Sequence, residues 1–232
     1  MRGKLMKVTD KLKQQRTISV EIEPPELGRS IREVQELLDP LIARGVSYVD
    51  ITYHAEQLTG YVKRDGQFMP VVQRKKPGTA GVAGFIKGRY RAEQIEPVPH
   101  VICTGFTKYG TEEFLVDLSY LGIENILALR GDPPKDGKKS EVSLGNEYAS
   151  DLIGQIVDLR SGKYVGAEEG EKVDFCIGAA CYPEKHKESP DWQSEFNHLR
   201  RKVDAGAEYL VKQMFFDNEK YKWFTEKAKI EQ

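Results

Sequence analysis

The stretch Ile18-Ser19-Val20-Glu21-Ile22-Glu23-Pro24-Pro25 decides the fold class of this chain. Apolar and polar residues alternate, which places Ile18, Val20 and Ile22 on one face of a β-strand and Glu21 on the other. The two prolines end the strand because proline donates no ladder hydrogen bond. We therefore predict a strand whose apolar face packs under helices and whose acidic face borders a site.

Further strand-like runs alternate with helical patterns along the rest of the chain. Strands are predicted at 48–53, 100–105, 125–130, 174–182 and 209–216, and helices at 31–42, 78–90, 111–122, 147–159 and 189–206, with a last helix after Asp217. In this assignment His100 opens the third strand and Gln213 lies within the sixth. Repeated strand–helix alternation predicts an α/β fold with a parallel sheet.

Local signals refine the helix ends. Thr111 and Ser189 are expected to be N-caps, with Pro190 at the first helical position, and Asp217 is expected to cap the last helix. Pro40 predicts a kink or break in the first helix. Residues 56–77 are polar and are expected to be irregular, and the basic run at 73–77 is interpreted as a solvated loop.

Two architectures fit an alternating pattern of this kind. A doubly wound sheet would favour a glycine-rich phosphate loop, but the chain has no GxGxxG or GxxxxGK[ST] motif. A (β/α)₈ TIM barrel instead takes its functional groups from several strand ends, as here. Six predicted strands fill 232 residues, whereas eight need about 250. We therefore expect a single catalytic barrel domain over 1–232, C-terminally truncated, with about six of eight units present.

Composition limits the partners and the compartment. The formal charge of -1 gives no general attraction to nucleic acid or to anionic lipid. No apolar run reaches the roughly 20 residues of a membrane span, and the N-terminus lacks a secretory apolar region. Cys103, Cys176 and Cys181 form no paired motif and are expected to be reduced core thiols. We expect a cytoplasmic homo-oligomer that binds neither nucleic acid nor membranes.

The strand ends carry the candidate chemistry. Glu21 points into the predicted barrel, where it serves either as a proton donor near neutral pH or as a structural carboxylate. The next candidates are consecutive residues at the end of the fourth strand. In one interpretation Arg130 anchors a ligand, Gly131 allows close backbone approach and Asp132 presents an anionic group to a cofactor. In the other, Arg130 and Asp132 form a salt bridge. Both interpretations stay open for each.

Three basic side chains near the later strands are also ambiguous. His186 contacts a polar ligand or, with His100 or Glu184, a metal, but no metal motif surrounds it. Arg201 and Lys202 lie on a predicted helix, where they bind phosphate or form a solvated face.

Taken in order, these strand ends resemble the methylenetetrahydrofolate reductase family. The matching tracts span about residues 17 to 225 and are collinear. They are Ser19-Val-Glu-Ile-Glu-Pro-Pro25, Asp50-Ile-Thr-Tyr53, Pro99-His100, Ala128-Leu-Arg-Gly-Asp132, Tyr148-Ala-Ser-Asp151, Ala180-Cys-Tyr-Pro-Glu-Lys-His186, Leu199-Arg-Arg-Lys-Val-Asp-Ala-Gly-Ala207 and Gln213-Met-Phe-Phe-Asp217. The departures are Ile22-Glu23, where the family usually has an aromatic pair, and Cys181, where it usually has alanine.

The resemblance implies a flavoprotein that uses NADH or NADPH to reduce bound FAD and then reduces 5,10-methylenetetrahydrofolate to 5-methyltetrahydrofolate. Glu21 matches the general acid, Asp132 matches the carboxylate near flavin and folate, and Thr52 and Gln213 match contacts to nicotinamide or folate. The positions that match the FAD lining are Tyr53, Ala55, His100, Arg130, Gly131, Asp132, Ala149, Tyr182, His186, Asn197, Arg201 and Lys202.

Two other functions stay open at this stage. The chain is alternatively a truncated or paralogous module that binds flavin or assembles with a partner but does not turn over. A folate-binding methyltransferase barrel would share the pterin pocket without needing FAD.

Overall fold

The computed structural model describes residues 7–132, 144–167 and 169–230. The helices are α1 Val8–Gln14, α2 Arg32–Ile42, α3 Thr79–Arg89, α4 Lys108–Tyr120, α5 Ala149–Arg160, α6 Trp192–Asp204 and α7 Asn218–Ile230. The strands are β1 Ile18–Ile22, β2 Val46–Ile51, β3 Gln57–Arg64, β4 Gln67–Gln73, β5 Glu96–Ile102, β6 Asn125–Leu129, β7 Cys176–Cys181 and β8 Tyr209–Lys212.

Six of the strands form one parallel sheet in the order β1-β2-β5-β6-β7-β8. The sheet follows chain order and curls into half of a barrel, with a concave inner face. The predicted α/β class and the six strands of this sheet are confirmed. Parallel neighbours require crossover connections, and helices supply most of them on the outer face.

The main hydrophobic core lies between the convex face of the sheet and these helices. Val49 and Ile51 on β2 are fully buried there against Leu38 of α2 and Ile86 of α3. Ile22 is buried in the same core and Val20 packs against it, so the outward face predicted for β1 is confirmed for both. Ile18 is 58% exposed, because it lies at the start of an edge strand that helices do not cover.

A second, smaller core fills the bottom of the concave face and depends on α1, a helix that the sequence patterns did not predict. Val8 packs against inward side chains of five strands, and its backbone N–H donates to Asn125 Oδ1 at 2.8 Å. Lys11 Nζ donates to the Ser47 carbonyl at 2.7 Å. The inward side chains in this layer are Tyr48, Val98, Leu127, Cys176 and Tyr209. Helix α1 therefore covers the amino-terminal end of the concave face, while the carboxyl ends of the strands border open space.

The expectation that residues 56–77 are irregular is wrong. They contain the antiparallel hairpin β3–β4, which projects from the carboxyl end of β2. Asp65 and Gly66 form its turn with φ angles of 51° and 82°. Two consecutive left-handed residues match the twist of a two-residue hairpin, and Asp-Gly is a strong local signal for one. The polar composition of the segment concealed that signal.

Two predicted helix caps are also wrong. Helix α4 begins earlier than expected because the Thr107 side chain accepts from the Gly110 N–H, which leaves Thr111 buried inside the helix. Helix α6 is capped by Asp191, which accepts from the Ser194 N–H at 2.7 Å, rather than by Ser189. In each case the residue directly before the helix, Thr107 or Asp191, has a side chain that accepts a hydrogen bond from a free N–H group of the first turn.

The other end signals gave mixed results. Asp217 Oδ1 accepts from the N–H groups of Glu219 and Lys220, so its predicted capping of α7 is confirmed. Helix α2 runs through Pro40 to Ile42, so the predicted break does not occur. Pro40 lies in the last turn of α2. Proline removes one backbone hydrogen bond there, but the helix ends soon afterwards, so little of it depends on that bond.

Strand boundaries differ where polar residues lie near strand ends. His100 is inside β5 rather than at its start, and Gln213 follows β8 rather than lying within it. Cys103, Cys176 and Cys181 are buried and free, which confirms the predicted reduced thiols. Among the described residues, no helix is long and apolar enough to cross a membrane.

Candidate functional site

A cleft of about 1660 Å³ opens at the carboxyl ends of the parallel strands. It is larger than the roughly 300–1,000 Å³ of a typical small-molecule site. The cleft brings together predicted residues from every strand of the main sheet. Those that line it are Glu21, Thr52, Tyr53, Ala55, His100, Arg130, Gly131, Asp132, Ala149, Tyr182, His186, Arg201, Lys202 and Gln213.

One predicted residue lies elsewhere. Asn197 is on the exposed side of α6, where its Oδ1 accepts from Gln193 Nε2 at 3.3 Å. His198, the next residue, lines the cleft instead. Successive residues of a helix point about 100° apart, so a one-residue difference decides which side chain faces a site.

The first wall of the cleft carries an acid–imidazole pair. Glu21 at the end of β1 lies with its Oε2 3.8 Å from Nε2 of His100 on β5. His100 is only 5% exposed, and its Nε2 has no hydrogen-bond partner among the residues that the structure describes. Between the two strands, Thr52 Oγ1 contacts His54 Nε2 at 3.0 Å and donates to the Ile22 carbonyl.

Burial changes the protonation of these groups. Desolvation, followed by the charge of Glu23, raises the pKa of Glu21 above its ordinary value, although most of the side chain remains exposed to the cleft. Desolvation and then His54 lower the pKa of His100 to about 4. His100 is therefore neutral near pH 7, and one of its ring nitrogens can accept or donate a hydrogen bond without a net charge.

Asp50 lies beneath this wall and was not assigned a role from its position in the sequence. It is 3% exposed, and desolvation, followed by the charge of Glu21, raises its pKa to about 7. The sequence shows Asp50 as an acidic residue inside an otherwise apolar strand pattern, Tyr48-Val49-Asp50-Ile51, and at the start of one tract that matches the family.

This raised pKa predicts a specific pH dependence of stability. Neutral Asp50 favours the folded state below its ordinary pKa of 3.8, and this contribution is lost as pH rises through about 7. Asp50→Asn should therefore gain stability relative to the wild type between pH 5 and pH 8. Urea denaturation at both pH values measures the difference. Asp204→Asn, at an exposed position on α6, is the control, and an equal effect of Asp50→Asn at both pH values would contradict the prediction.

The opposite wall is basic and aromatic. Arg130 pairs with Glu188 at 2.6 Å, so the predicted alternative of an Arg130–Asp132 salt bridge is wrong. The rings of Tyr182 and His186 contact each other edge to face, with centroids 4.6 Å apart. Lys202 Nζ lies 5.6 Å from the Tyr182 ring centroid and donates to the Ala180 carbonyl at 2.9 Å. A cationic, aromatic wall of this kind suits an anionic ligand with a planar group.

The buried carboxylate of Glu195 holds the loop after β7 in place. It accepts from Ser189 Oγ at 2.6 Å and from the His186 N–H at 3.1 Å. Ser189 was expected to cap a helix, but it serves this loop instead. Glu195 on α6 therefore holds the backbone of the loop that carries Tyr182 and His186.

Gly131 is required by backbone geometry. Its φ is 81°, and a Cβ atom would lie 3.1 Å from Thr104 Oγ1 and 3.2 Å from Thr104 Cβ. The loops after β5 and β6 thus meet closely at this point, and only glycine fits there without strain.

Some residues that line the cleft were not predicted at all. Leu58, Tyr61 and Pro70 reach it from the β3–β4 hairpin, and Arg74 follows from the next loop, with its guanidinium 6.0 Å from the Tyr53 ring. The Asp65-Gly66 turn was the available signal for the hairpin. Among the described residues, no group of three or more His, Cys, Asp or Glu side chains is placed to hold a metal.

The fold and the cleft define this chain as an α/β protein with its site at the carboxyl ends of a curled parallel sheet. The sequence profile named "Methylenetetrahydrofolate reductase" matches residues 4–231. The chain belongs to the methylenetetrahydrofolate reductase family, which confirms the resemblance inferred from the strand ends.

Individual relatives agree with this assignment. The chain is 29% identical over 230 residues to methylenetetrahydrofolate reductase 1 of Schizosaccharomyces pombe, covering 97% of this chain and 33% of that protein. It is 29% identical over 211 residues to 5,10-methylenetetrahydrofolate reductase of Escherichia coli, covering 91% and 59%. It is also 30% identical over 229 residues to methylenetetrahydrofolate reductase (NADH) 1 of Arabidopsis thaliana, covering 92% and 34%. The chain thus spans about a third to three fifths of the length of these relatives.

Solved structures show the same fold at low identity. A 2,3-dimethylmalate lyase of the PEP mutase/isocitrate lyase superfamily has a TM-score of 0.54 at 12% identity, over 94% of this chain and 65% of that one. A second crystal form of this lyase gives 0.53 at 11% identity, over 96% and 67%. This similarity concerns the fold and carries no functional assignment.

Proposed function

We propose that this chain carries the catalytic domain of a reductase that converts 5,10-methylenetetrahydrofolate to 5-methyltetrahydrofolate with NADH or NADPH through bound FAD. The observation that carries the proposal is the cleft itself. Glu21, Thr52, Asp132 and Gln213 come from four separate strand ends, yet they line one cavity in a chain that belongs to this family.

The proposed architecture is the catalytic TIM barrel expected from the sequence, with residues 1–232 in one domain. The support is a curled sheet of six parallel strands in chain order, with helices on its outer face. Two further strand–helix units would complete an eight-stranded barrel. The expected cytoplasmic location and homo-oligomeric state remain predictions.

The side chains of the basic wall fit FAD. Arg201 and Lys202 suit its phosphates, Tyr182 offers a ring face, and Gly131 lines the same cleft. His100 adds a neutral buried nitrogen with an unsatisfied hydrogen bond. When bound, the flavin would supply the hydride chemistry, taking hydride from the nicotinamide and passing it to the folate.

The acidic groups in the cleft serve the folate. Glu21 would donate a proton to a ring nitrogen of the folate. Protonation of this nitrogen would open the ring at the methylene bridge and give an electrophilic iminium. The raised pKa of Glu21 favours the protonated form that such a donor needs. The exposed carboxylate of Asp132 would stabilise the resulting cation, and Thr52 and Gln213 would orient the substrate.

Absorption spectroscopy with stepwise reduction tests the proposal. The purified protein should be yellow, should bleach with NADH or NADPH under anaerobic conditions, and should regain colour on addition of methylenetetrahydrofolate. A yellow protein that does not bleach would instead indicate the non-catalytic flavin-binding module. A colourless protein that binds folate would indicate the methyltransferase alternative.

Replacement of the phosphate-facing cation should weaken cofactor binding. Arg201→Met is expected to weaken FAD binding by about tenfold to a hundredfold, because a hydrogen bond to a charged group contributes about 1.5–3 kcal/mol. Flavin fluorescence titration measures the dissociation constant. Arg44→Met is the matched control, since Arg44 is exposed just before β2 and does not line the cleft. Equal FAD affinity in both variants would contradict the placement of the phosphates.

A further inference from the structure

Asp50 is a buried carboxyl that the mechanism above does not use. On β2 it lies on the concave face, between Tyr48 in the apolar bottom layer and Thr52 in the cleft. Within the described part of the chain, its Oδ1 has no hydrogen-bond partner. Unpartnered polar atoms are costly in a protein interior, so this group calls for a functional explanation.

The strand register places Asp50 beside the proposed acid. Asp50 pairs with Glu21 on β1 and with Val98 on β5. Paired residues of neighbouring strands are about 4.8 Å apart and project on the same face of a sheet. The two carboxyl groups therefore emerge side by side, and Glu21 in turn reaches His100 at 3.8 Å.

The charged groups around this pair do not neutralise Asp50. Among the described residues it forms no ion pair. Lys76 is engaged by Glu23, and Lys11 donates to the carbonyls of Ser47 and Ala92. The titratable or charged groups that face the pair are Glu23, Tyr48, His54, Lys76, His100 and Tyr209. Two adjacent carboxyls without a cation between them cannot both ionise easily, so they retain one proton.

We propose that Asp50 is a positioning residue that shares one proton with Glu21 and returns it to Glu21 for donation to the folate. The inference rests on the proposed function of Glu21. The Asp50 O–H bond breaks as the Glu21 O–H bond forms, and the Glu21 O–H bond then breaks as the substrate N–H bond forms, which leaves both carboxyls ionised. A proton from water restores the pair, which matches the one solvent proton consumed in each turnover.

The first test uses the cofactor-free chain and needs no activity. Carbon NMR of protein labelled at glutamate carboxyls follows the titration of Glu21, whose signal is identified by its loss in Glu21→Gln. The wild type should show two steps, because coupled carboxyls titrate as a pair. Asp50→Asn should show a single step at lower pH, and Asp50→Ser repeats the measurement with a smaller neutral side chain. A single, identical step in wild type and both variants would overturn the proposal.

The second test measures both half-reactions against pH in the FAD-loaded protein. Asp50→Asn should move the alkaline limb of the folate half-reaction down by about one pH unit or more, and leave the nicotinamide half-reaction in place. Asp204→Asn should change neither profile. Coupled titration with an unmoved folate profile would overturn the positioning role. The wild type could instead show coupled titration but fail to reduce methylenetetrahydrofolate. That result would overturn the proposed function, while the proton shared by Asp50 and Glu21 would still be supported.

Discussion

Glu21→Gln is expected to slow the folate half-reaction by about 10²–10⁴-fold, the usual contribution of a general acid. The amide keeps the size of the side chain but cannot donate a carboxylic proton to the substrate. FAD content and its reduction by NAD(P)H should remain near wild-type values, because the basic wall that suits the dinucleotide is unchanged. Anaerobic stopped-flow measurement of each half-reaction separates the two steps.

Glu23→Gln is the matched control for this experiment. Glu23 lies on the same side of the chain two residues later, is largely exposed and pairs with Lys76. Glu23 does not line the cleft, and its charge raises the pKa of Glu21 less than desolvation does, so the folate rate should stay much closer to the wild-type value than in Glu21→Gln. Near-normal folate reduction by Glu21→Gln would show that another group donates the proton.

Phe175→Ala is expected to lower the free energy of unfolding by about 3–5 kcal/mol. Phe175 directly precedes β7, is fully buried and packs in the core between the sheet and the helices. Its removal leaves a cavity in the layer that supports the cleft, and the total stability of a domain is only about 5–15 kcal/mol. Urea denaturation followed by circular dichroism measures the loss.

Phe68→Ala on β4 provides the comparison. Phe68 is 71% exposed at the hairpin, so its truncation should change stability by no more than about 0.5 kcal/mol. Similar losses in the two variants would show that Phe175 does not occupy the core as described.

Local patterns predicted much of the sheet because each one depends on a few neighbouring residues. Alternation in β1, apolar runs in β6 and β7, and helical spacing in α5 and α6 follow from side-chain periodicity alone. The hairpin and the caps were missed where two local signals competed. Polar composition outweighed the Asp65-Gly66 turn, and Thr111 was preferred to Thr107 although only the latter lies at the start of α4.

The candidate site residues were chosen from collinear strand-end motifs, and all of these candidates except Asn197 line the cleft. Tyr61 of the hairpin and Arg74 of the following loop were not predicted as site residues, because residues 56–77 were expected to be irregular and solvated. Glu195 was also missed, since its role is to accept hydrogen bonds from a loop rather than to face a ligand.

The sequence by itself determined the α/β class, the order of the strands and the membership of the family, since these depend on periodicity and on motifs in chain order. Only the tertiary structure decided the protonation of the cleft. Glu21, Asp50 and His100 are distant in sequence, and the curled sheet brings them together above an apolar layer closed by α1. A pKa depends on burial and on charges within a few ångströms, so it is set by neighbours that the chain order does not reveal.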